Sequence, residues 1–138
     1  SLPVRIYARS LANGSRYRDD NVAVTLDFAN GSIGTITYAA NGDGVFPKER
    51  LEIFCGGAVA VLDNFRQLEL VRNGVRKTYG ARFRADKGYH GEWEAFLAAI
   101  RNGTPSPIPF NEIVSTSLTT FRIMDSLRSG KSIEIDVK

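Results

Sequence analysis

The sequence has very few residues of the kinds that form disulfides and metal sites. Among its 138 residues, Cys55 is the single cysteine and His90 the single histidine. One cysteine cannot form a disulfide within the chain, and one histidine without cysteine partners does not make a usual zinc site. We therefore interpret Cys55 as a small buried strand residue and predict no bound metal.

Long hydrophobic runs and a signal peptide are also absent, so no membrane span is predicted. The formal net charge of +3 is small, and no nucleic-acid-binding motif accompanies the scattered basic residues. We predict a cytoplasmic protein with neither a nucleic-acid nor a membrane partner. The length suits a single domain, 1–138, and a chain that opens on Ser1 in place of methionine predicts a processed chain or an excised domain.

Motifs for nucleotide binding and nucleophilic catalysis are missing as well. No G-x-G-x-x-G or P-loop pattern opens a helix after a strand, and no serine has the context of a nucleophile elbow. The pairs Asn30-Gly31, Gly56-Gly57 and Asn73-Gly74 each separate two alternating segments and predict tight hairpins. The chain offers no catalytic or cofactor-binding residue by these criteria.

The clearest structural pattern in the sequence is a run of predicted antiparallel strands over residues 21–63. Apolar side chains occupy every second position from Val22 to Phe28, which predicts a strand with one apolar face. A two-residue loop at Asn30-Gly31 pairs Phe28 with Ile33 and places Ile36 on the opposite face. Both faces would then carry large apolar groups, whereas a solvated face is polar.

Two explanations of this pattern remain open. Either a bulge near Gly34 resets the register, or the second face is buried against another domain or subunit, which we favour. The Gly56-Gly57 hairpin shows the same two-sided pattern. The longest break in the run, residues 41–48, carries an apolar tip at Val45-Phe46 that predicts a docking contact.

Two helices and a short strand follow the run. Apolar side chains recur at helical spacing over residues 89–102, where Gly103 takes the C-cap position. A second helix is predicted from an N-cap at Asn111 to Ser129-Gly130, followed by a strand at 133–137. Its apolar stripe is expected to consist of Ile113, Val114, Ser117, Leu118, Phe121, Met124 and Leu127.

This order of elements predicts an α+β fold. We expect an open, mainly antiparallel β-sheet with two C-terminal helices packed on one face. The other face stays free for a partner domain or subunit.

The densest group of hydrogen-bonding side chains near an apolar element is Lys87, Tyr89 and His90, where the first helix begins. These residues are the candidates for substrate contact. His90 has two interpretations. It could bind a hydroxyl or act as an acid or base, or it could be a half-buried residue at the start of a helix.

The order and spacing of four segments resemble the C-terminal domain of the glucose–fructose oxidoreductase/inositol dehydrogenase/MocA family. The segments are DNVAVTLDFANGSIGTITY, ERLEIFCGGAVAVLDNFRQLELVRNG, YHGEWEAFLAAIRNGTPSPIPFNE and STSLTTFRIMDSLRSGKSIEI. Together they cover nearly the whole chain.

The resemblance implies part of an oxidoreductase that uses NAD or NADP and acts on a sugar, polyol or related compound. An N-terminal Rossmann domain would hold the cofactor and supply the catalytic lysine. The domain seen here would shape the substrate pocket and join subunits into a homo-oligomer through its open sheet. Tyr89 and Glu92 match a family Y-x-x-E setting near the substrate. No catalytic residue carries over, because this chain has no E-K-P motif and His90 does not stand in an H-x-x-D motif.

Three hypotheses follow. The first is the substrate-binding and oligomerisation half of such an enzyme, inactive by itself. The second is a stand-alone, non-catalytic binding or assembly module with the same fold. The third, a hydrolase or isomerase that uses His90, lacks an evident nucleophile or partner base.

Overall fold

The computed structural model describes residues 1–12, 19–80 and 85–136, which form two helices and eight strands. In chain order these are β1 (Pro3–Ser10), β2 (Asn21–Phe28), β3 (Ile33–Ala39), β4 (Arg50–Cys55), β5 (Ala58–Asp63), β6 (Gln67–Arg72), β7 (Val75–Gly80), α1 (Tyr89–Asn102), α2 (Phe110–Ser129) and β8 (Ile133–Glu134). The elements form two compact units. The first unit is Ser1–Gly42 with Gly103–Lys138, and the second unit is Asp43–Asn102. A single domain over 1–138 stays a prediction.

The first unit contains an antiparallel sheet with strand order β3-β2-β1-β8. Its β2–β3 hairpin corrects the predicted register by one residue, since Asp27 pairs with Ile33 and Val24 with Ile36. The cause is the loop. Gly31 adopts a φ of +82°, and its N–H bonds the Phe28 carbonyl at 2.9 Å. The turn therefore takes one more residue than the tight two-residue loop, as hairpins with a glycine bulge do.

This register gives the first sheet one apolar and one polar face. The apolar face carries Ile6, Ala8, Val24, Leu26 and Ile36. On the polar face, Arg5 contacts Asp27 and Glu134, and the Arg9 guanidinium donates to the Tyr7 hydroxyl at 2.8 Å. The prediction that both faces of this hairpin are apolar is therefore wrong. The alternative explanation, a bulge that resets the register, describes this hairpin, although the extra residue lies at Gly31 rather than near Gly34.

The core of the first unit lies between its apolar sheet face and α2. Ile6, Ala8, Val24, Leu26 and Ile135 are all at most 8% exposed. Ile123 and Leu127 of α2 pack against this cluster.

Leu127 of the predicted stripe packs on the core, and Val114 and Leu118 are half-buried, but small residues dominate the helix face turned inward. Its buried residues are Ser115, Thr119 and Ser126, whereas Ile113 and Phe121 are 47% and 65% exposed. Short side chains bring the helix close to the sheet, and their hydroxyls bond within the unit. Thr119 donates to the Ser115 carbonyl at 2.7 Å, and Ser126 donates to the Lys131 carbonyl at 2.6 Å.

The ends of α2 match the prediction at one side only. Pro109 takes the N-cap position in place of Asn111, and no side chain caps the helix there. The Pro109 carbonyl accepts the N–H groups of Glu112 and Ile113, so the helix begins two residues earlier than expected. At the other end, Gly130 takes the left-handed conformation with φ +67° and bonds the Ser126 carbonyl, which is the predicted glycine cap.

The second unit holds the other antiparallel sheet, with order β4-β5-β6-β7. Its two-residue hairpins agree with the predicted register, since Cys55 pairs with Ala58 and Arg72 with Val75. Paired residues share a face of a sheet. One face, which we call the leucine face, therefore carries the following residues: Leu51, Ile53, Cys55, Ala58, Ala60, Leu62, Leu68, Leu70, Arg72, Val75, Lys77 and Tyr79.

No strand residue of this sheet is buried, although every one of them is described. Leu51 is 52% exposed, Ile53 49% and Tyr79 51%. Phe54 on the opposite face is 72% exposed. Here the two-sided apolar pattern of the sequence is confirmed, and Cys55, predicted to be buried, is exposed.

The helix α1 has the predicted bounds, with Gly103 at φ +62° after its last residue. Its apolar side chains Trp93, Phe96, Leu97 and Ile100 are between 41% and 63% exposed. The α+β class and the open antiparallel sheets are confirmed, with the strands divided between two sheets and α2 packed on β1. The predicted last strand is short, and residue 137 lies outside the described residues. Neither described helix has the length and apolarity to cross a membrane.

Candidate functional site

The three candidate residues lie where the chain enters α1 in the second unit. Two hydrogen bonds donated by backbone N–H groups hold this entry. The Asp86 N–H donates to the Phe65 carbonyl at 3.0 Å, and the Gly88 N–H donates to the Asp86 carboxylate at 2.9 Å. Gly88 has a φ of +77°, a conformation that glycine adopts without a steric penalty. The backbone that leads into α1 is therefore held against the β5–β6 turn.

Lys87 is held by two neighbours that the sequence did not suggest. Its Nζ lies 2.8 Å from Glu49 Oε1 and 5.6 Å from the centre of the Phe65 ring. The hydrogen bond and the charge of Glu49 raise the pKa of Lys87 above its usual value, with a smaller contribution from Tyr89. Lys87 is therefore a cation at neutral pH. It can donate hydrogen bonds to a ligand, but it does not exchange protons readily.

Tyr89 and His90 occupy the first turn of α1. Tyr89 is 65% exposed. His90 Nε2 lies 3.3 Å from Glu94 Oε1, one helical turn further on, and the His90 side chain is 88% exposed. The interpretation of His90 as a half-buried residue is therefore wrong. An exposed imidazole beside a carboxylate can donate or accept a proton, or bind a hydroxyl group.

Sequence analysis missed Glu49 and Phe65 as parts of this site. Glu49 follows the 41–48 loop and precedes β4, and Phe65 lies in the β5–β6 turn with a φ of +53°. No spacing pattern links either residue to Lys87, which is 38 positions from Glu49. Only the folded second unit brings them together.

The second unit also has an exposed apolar surface at the tip of a loop. Val45 and Phe46, at the tip of the 41–48 loop, are 93% and 75% exposed, as an apolar docking tip should be. The loop 80–88 before α1 is basic in the sequence, and its residues 81–84 lie outside the described residues. Within the described parts of the chain, no three His, Cys, Asp or Glu side chains converge to hold a metal ion.

The chain is similar to several solved oxidoreductase structures. The matched structures include an Agrobacterium radiobacter oxidoreductase in complex with NAD+, L-tartaric acid and magnesium, at TM-score 0.77, 14% identity, 96% of this chain and 43% of that one. An aldose-aldose oxidoreductase from Caulobacter crescentus, complexed with glycerol, gives TM-score 0.77, 12% identity, 97% and 42%. A levoglucosan dehydrogenase, in complex with NADH and levoglucosan, gives TM-score 0.76, 18% identity, 97% and 45%.

No protein-family model matches the sequence, and no curated protein matches it either. The similarity therefore concerns the fold. This chain spans less than half of the length of each of the three structures and has the fold of the part that it covers.

Proposed function

We propose that this chain is the C-terminal, substrate-binding and oligomerisation domain of an NAD- or NADP-dependent oxidoreductase acting on a sugar, polyol or related hydroxy compound. One observation carries the proposal. At least 96% of the chain superposes on each of the three oxidoreductases, while it spans only 42–45% of their length. A domain that recurs whole within longer enzymes of one chemical class is best explained as the same part of a similar enzyme.

The residues of this chain do not fit a dinucleotide. The sequence contains no G-x-G-x-x-G run, and among the described residues no glycine-rich turn leads directly from a strand into the N-terminus of a helix, where a pyrophosphate would bind. The cofactor would therefore be held by an N-terminal Rossmann domain, which would also supply the catalytic lysine. When bound, the nicotinamide supplies the hydride chemistry, and this domain positions the hydroxy compound.

Lys87, Tyr89 and His90 are the residues proposed to contact that substrate. All three are exposed and lie within residues 87–90 at the entry to α1, and each carries a group that bonds a hydroxyl. Lys87 adds a charge that is oriented by Glu49. A cation, a phenol and an imidazole in this order suit a polar, uncharged or anionic substrate with several oxygen atoms.

The experiment that tests the function uses the natural full-length polypeptide. We expect it to reduce NAD+ or NADP+, followed as absorbance of the reduced nicotinamide, with at least one member of a panel of aldoses, anhydrosugars and polyols. The 138-residue chain alone should show no turnover. A full-length polypeptide without a dinucleotide-binding domain would contradict the proposal and favour a stand-alone binding or assembly module.

The candidate substrate residues give a prediction in the full-length enzyme. Replacing Lys87 by methionine removes a charged hydrogen-bond donor, so kcat/KM should fall about 10- to 100-fold. Lys131→Met, which removes an exposed lysine from the first unit, is the matched control and should leave kcat/KM unchanged. Equal activity of the two variants would remove Lys87 from the site.

The leucine face is the proposed contact between copies of this chain. A sheet without any buried strand residue lacks a core of its own, and such a face is stable only when it is covered. Its exposed charges are few beside the apolar groups, and a second copy would present the same apolar surface.

We expect Leu70→Glu, near the middle of the leucine face, to weaken the oligomer of the full-length protein. Sedimentation experiments should then give a lower mass for the assembly. Val75→Glu changes a residue on the edge strand of the same leucine face, so it should reduce the mass less. An unchanged mass for Leu70→Glu would show that the copies meet elsewhere or not at all.

A further inference from the structure

The apolar face of the first sheet is only half covered. The helix α2 packs on β1 and β8, so Ile6 and Ala8 are fully buried. On the same face of β3, Ile36 and Tyr38 remain 48% and 58% exposed. A helix about 10 Å wide covers roughly two strands spaced about 4.8 Å apart. A four-stranded sheet therefore has room for a second helix beside α2.

A groove of about 620 Å³ lies at this position, entirely within the first unit. Its floor is formed by Leu26, Phe28 and Ile36 of the sheet. Its wall consists of two neighbouring rows of α2 with four-residue spacing: Asn111, Ser115, Thr119 and Ile123 in one row, and Glu112, Thr116 and Thr120 in the other. Rows of this spacing are the ridges that interlock when helices pack on each other.

The hydroxyl groups of the wall distinguish a packing surface from a sugar site. Thr116 and Thr119 donate to carbonyls one turn earlier, and Thr120 donates to the Ser117 carbonyl. These donors are used within the helix, so beyond Asn111 and Glu112 at its first turn the wall offers a ligand only short side chains over an apolar floor. A polyhydroxylated ligand would lose its hydration here without adequate replacement.

Ser115 is the exception. It is 2% exposed, and its hydroxyl has no hydrogen-bond partner among the described residues. Leaving such a group unpaired is unfavourable, and Ser115 lines the groove. Because its oxygen atom is itself covered, Ser115 offers no polar contact to an occupant of the groove.

We propose that this groove is the seat of an amphipathic helix supplied by the remainder of this protein's own polypeptide. The inference rests on the proposed function, because the similar oxidoreductases are more than twice as long as the part matched here. The helix packs its apolar stripe on Phe28 and Ile36 and approaches α2 closely at Thr116 and Thr120.

The test measures whether the groove is covered in the folded full-length protein. Cys55→Ser removes the natural cysteine of this chain, and Thr116→Cys or Thr120→Cys places a reporter thiol in the groove. Both positions are exposed in the structure, so neither change disturbs the core. Arg128→Cys, at an exposed position on the last turn of α2 that does not line the groove, is the control. Each thiol's maleimide labelling rate is compared between the folded protein and the urea-unfolded protein, with any other cysteine of the full chain replaced beforehand.

We expect the two groove thiols to react about 100-fold or more slowly in the folded protein, as in a segment that opens only rarely, and the control thiol to react freely. Free labelling of both groove thiols in the folded full-length protein overturns the inference. Protection that disappears on dilution identifies a second copy as the occupant. Protection lost after unfolding, dialysis and refolding identifies a small molecule. Either of these results also overturns the inference. An active dehydrogenase with an open groove would sink this inference alone, whereas a covered groove in an inactive protein would sink the proposed function alone.

Discussion

Replacing Ile6 by alanine is expected to destabilise the first unit by about 2–5 kcal/mol, the range for truncating a fully buried aliphatic side chain. Ile6 is 0% exposed and pairs with Leu26 on one side and Ile133 on the other. Its side chain belongs to the cluster that Ile123 and Leu127 of α2 cover. The truncation leaves a cavity at the centre of this cluster, because neighbours on two strands and a helix cannot all move inward together.

Urea-dependent hydrogen exchange at the amides of β1 and β2 measures this loss in the first unit separately. Ile33→Ala is the matched control, since Ile33 lies in the same sheet but is 73% exposed; its effect should stay within about 0.5 kcal/mol. If the two variants lose the same stability, the core of the first unit does not lie where the structure places it.

Replacing Ser126 by alanine should cost roughly 2–4 kcal/mol, although only one oxygen atom is lost. The Ser126 hydroxyl accepts the Ala8 N–H at 2.9 Å and donates to the Lys131 carbonyl at 2.6 Å. Ser126 and Ala8 are both 0% exposed. Strand β8 pairs with β1 only at Arg5 and Ile6, so it does not reach Ala8, and the Ser126 hydroxyl takes the place of a strand partner.

Exchange of the Ala8 amide is the specific readout, because this N–H loses its acceptor. Ser117→Ala removes a hydroxyl from the same helix, where it only bonds the Ile113 carbonyl at an exposed position. That control should change the free energy of unfolding by no more than about 0.5 kcal/mol. Slow Ala8 exchange in Ser126→Ala, at the wild-type rate, would contradict the assigned role.

The three hairpins with paired turn residues differ in how far their sequences determine the strand register. Gly56-Gly57 and Asn73-Gly74 form the two-residue loops that their sequences predict. Asn30-Gly31 looks equally suitable, yet its loop takes an extra residue. The longer loop places Ile36 with Val24 on the core side, which buries more apolar surface than the tight turn would. Local turn preference is weak compared with the burial of a whole strand face.

In helix α2, the residues that face the sheet are only in part those that the hydrophobicity pattern predicts. Its large apolar residues predict an inward stripe, but small hydroxyl residues face the sheet, and Phe121 remains 65% exposed. A hydrophobicity pattern scores Ser115, Thr119 and Ser126 as polar. It does not register that a hydroxyl can bond a carbonyl of its own helix and then pack as a small group.

The candidate site was located by sequence only in part. The cluster Lys87, Tyr89 and His90 is local in the chain and was found by its composition. Glu49, which bonds Lys87 and raises its pKa, and Phe65, whose ring lies beside the Lys87 ammonium, come from distant segments of the chain. Their substrate role remains a proposal that the Lys87→Met experiment addresses.

The sequence alone determined the element types, the bounds of α1, the two tight hairpins and the α+β class, because each depends on periodicity or turn residues within a few positions. Only the tertiary structure decided which faces are covered: the one-residue shift at Gly31, the small-residue face of α2, the pairing of Lys87 with Glu49 and the exposure of the leucine face. These features depend on which surfaces meet across long separations in the chain. The free energy of that choice comes from burial and hydrogen bonding between segments, which no local pattern records.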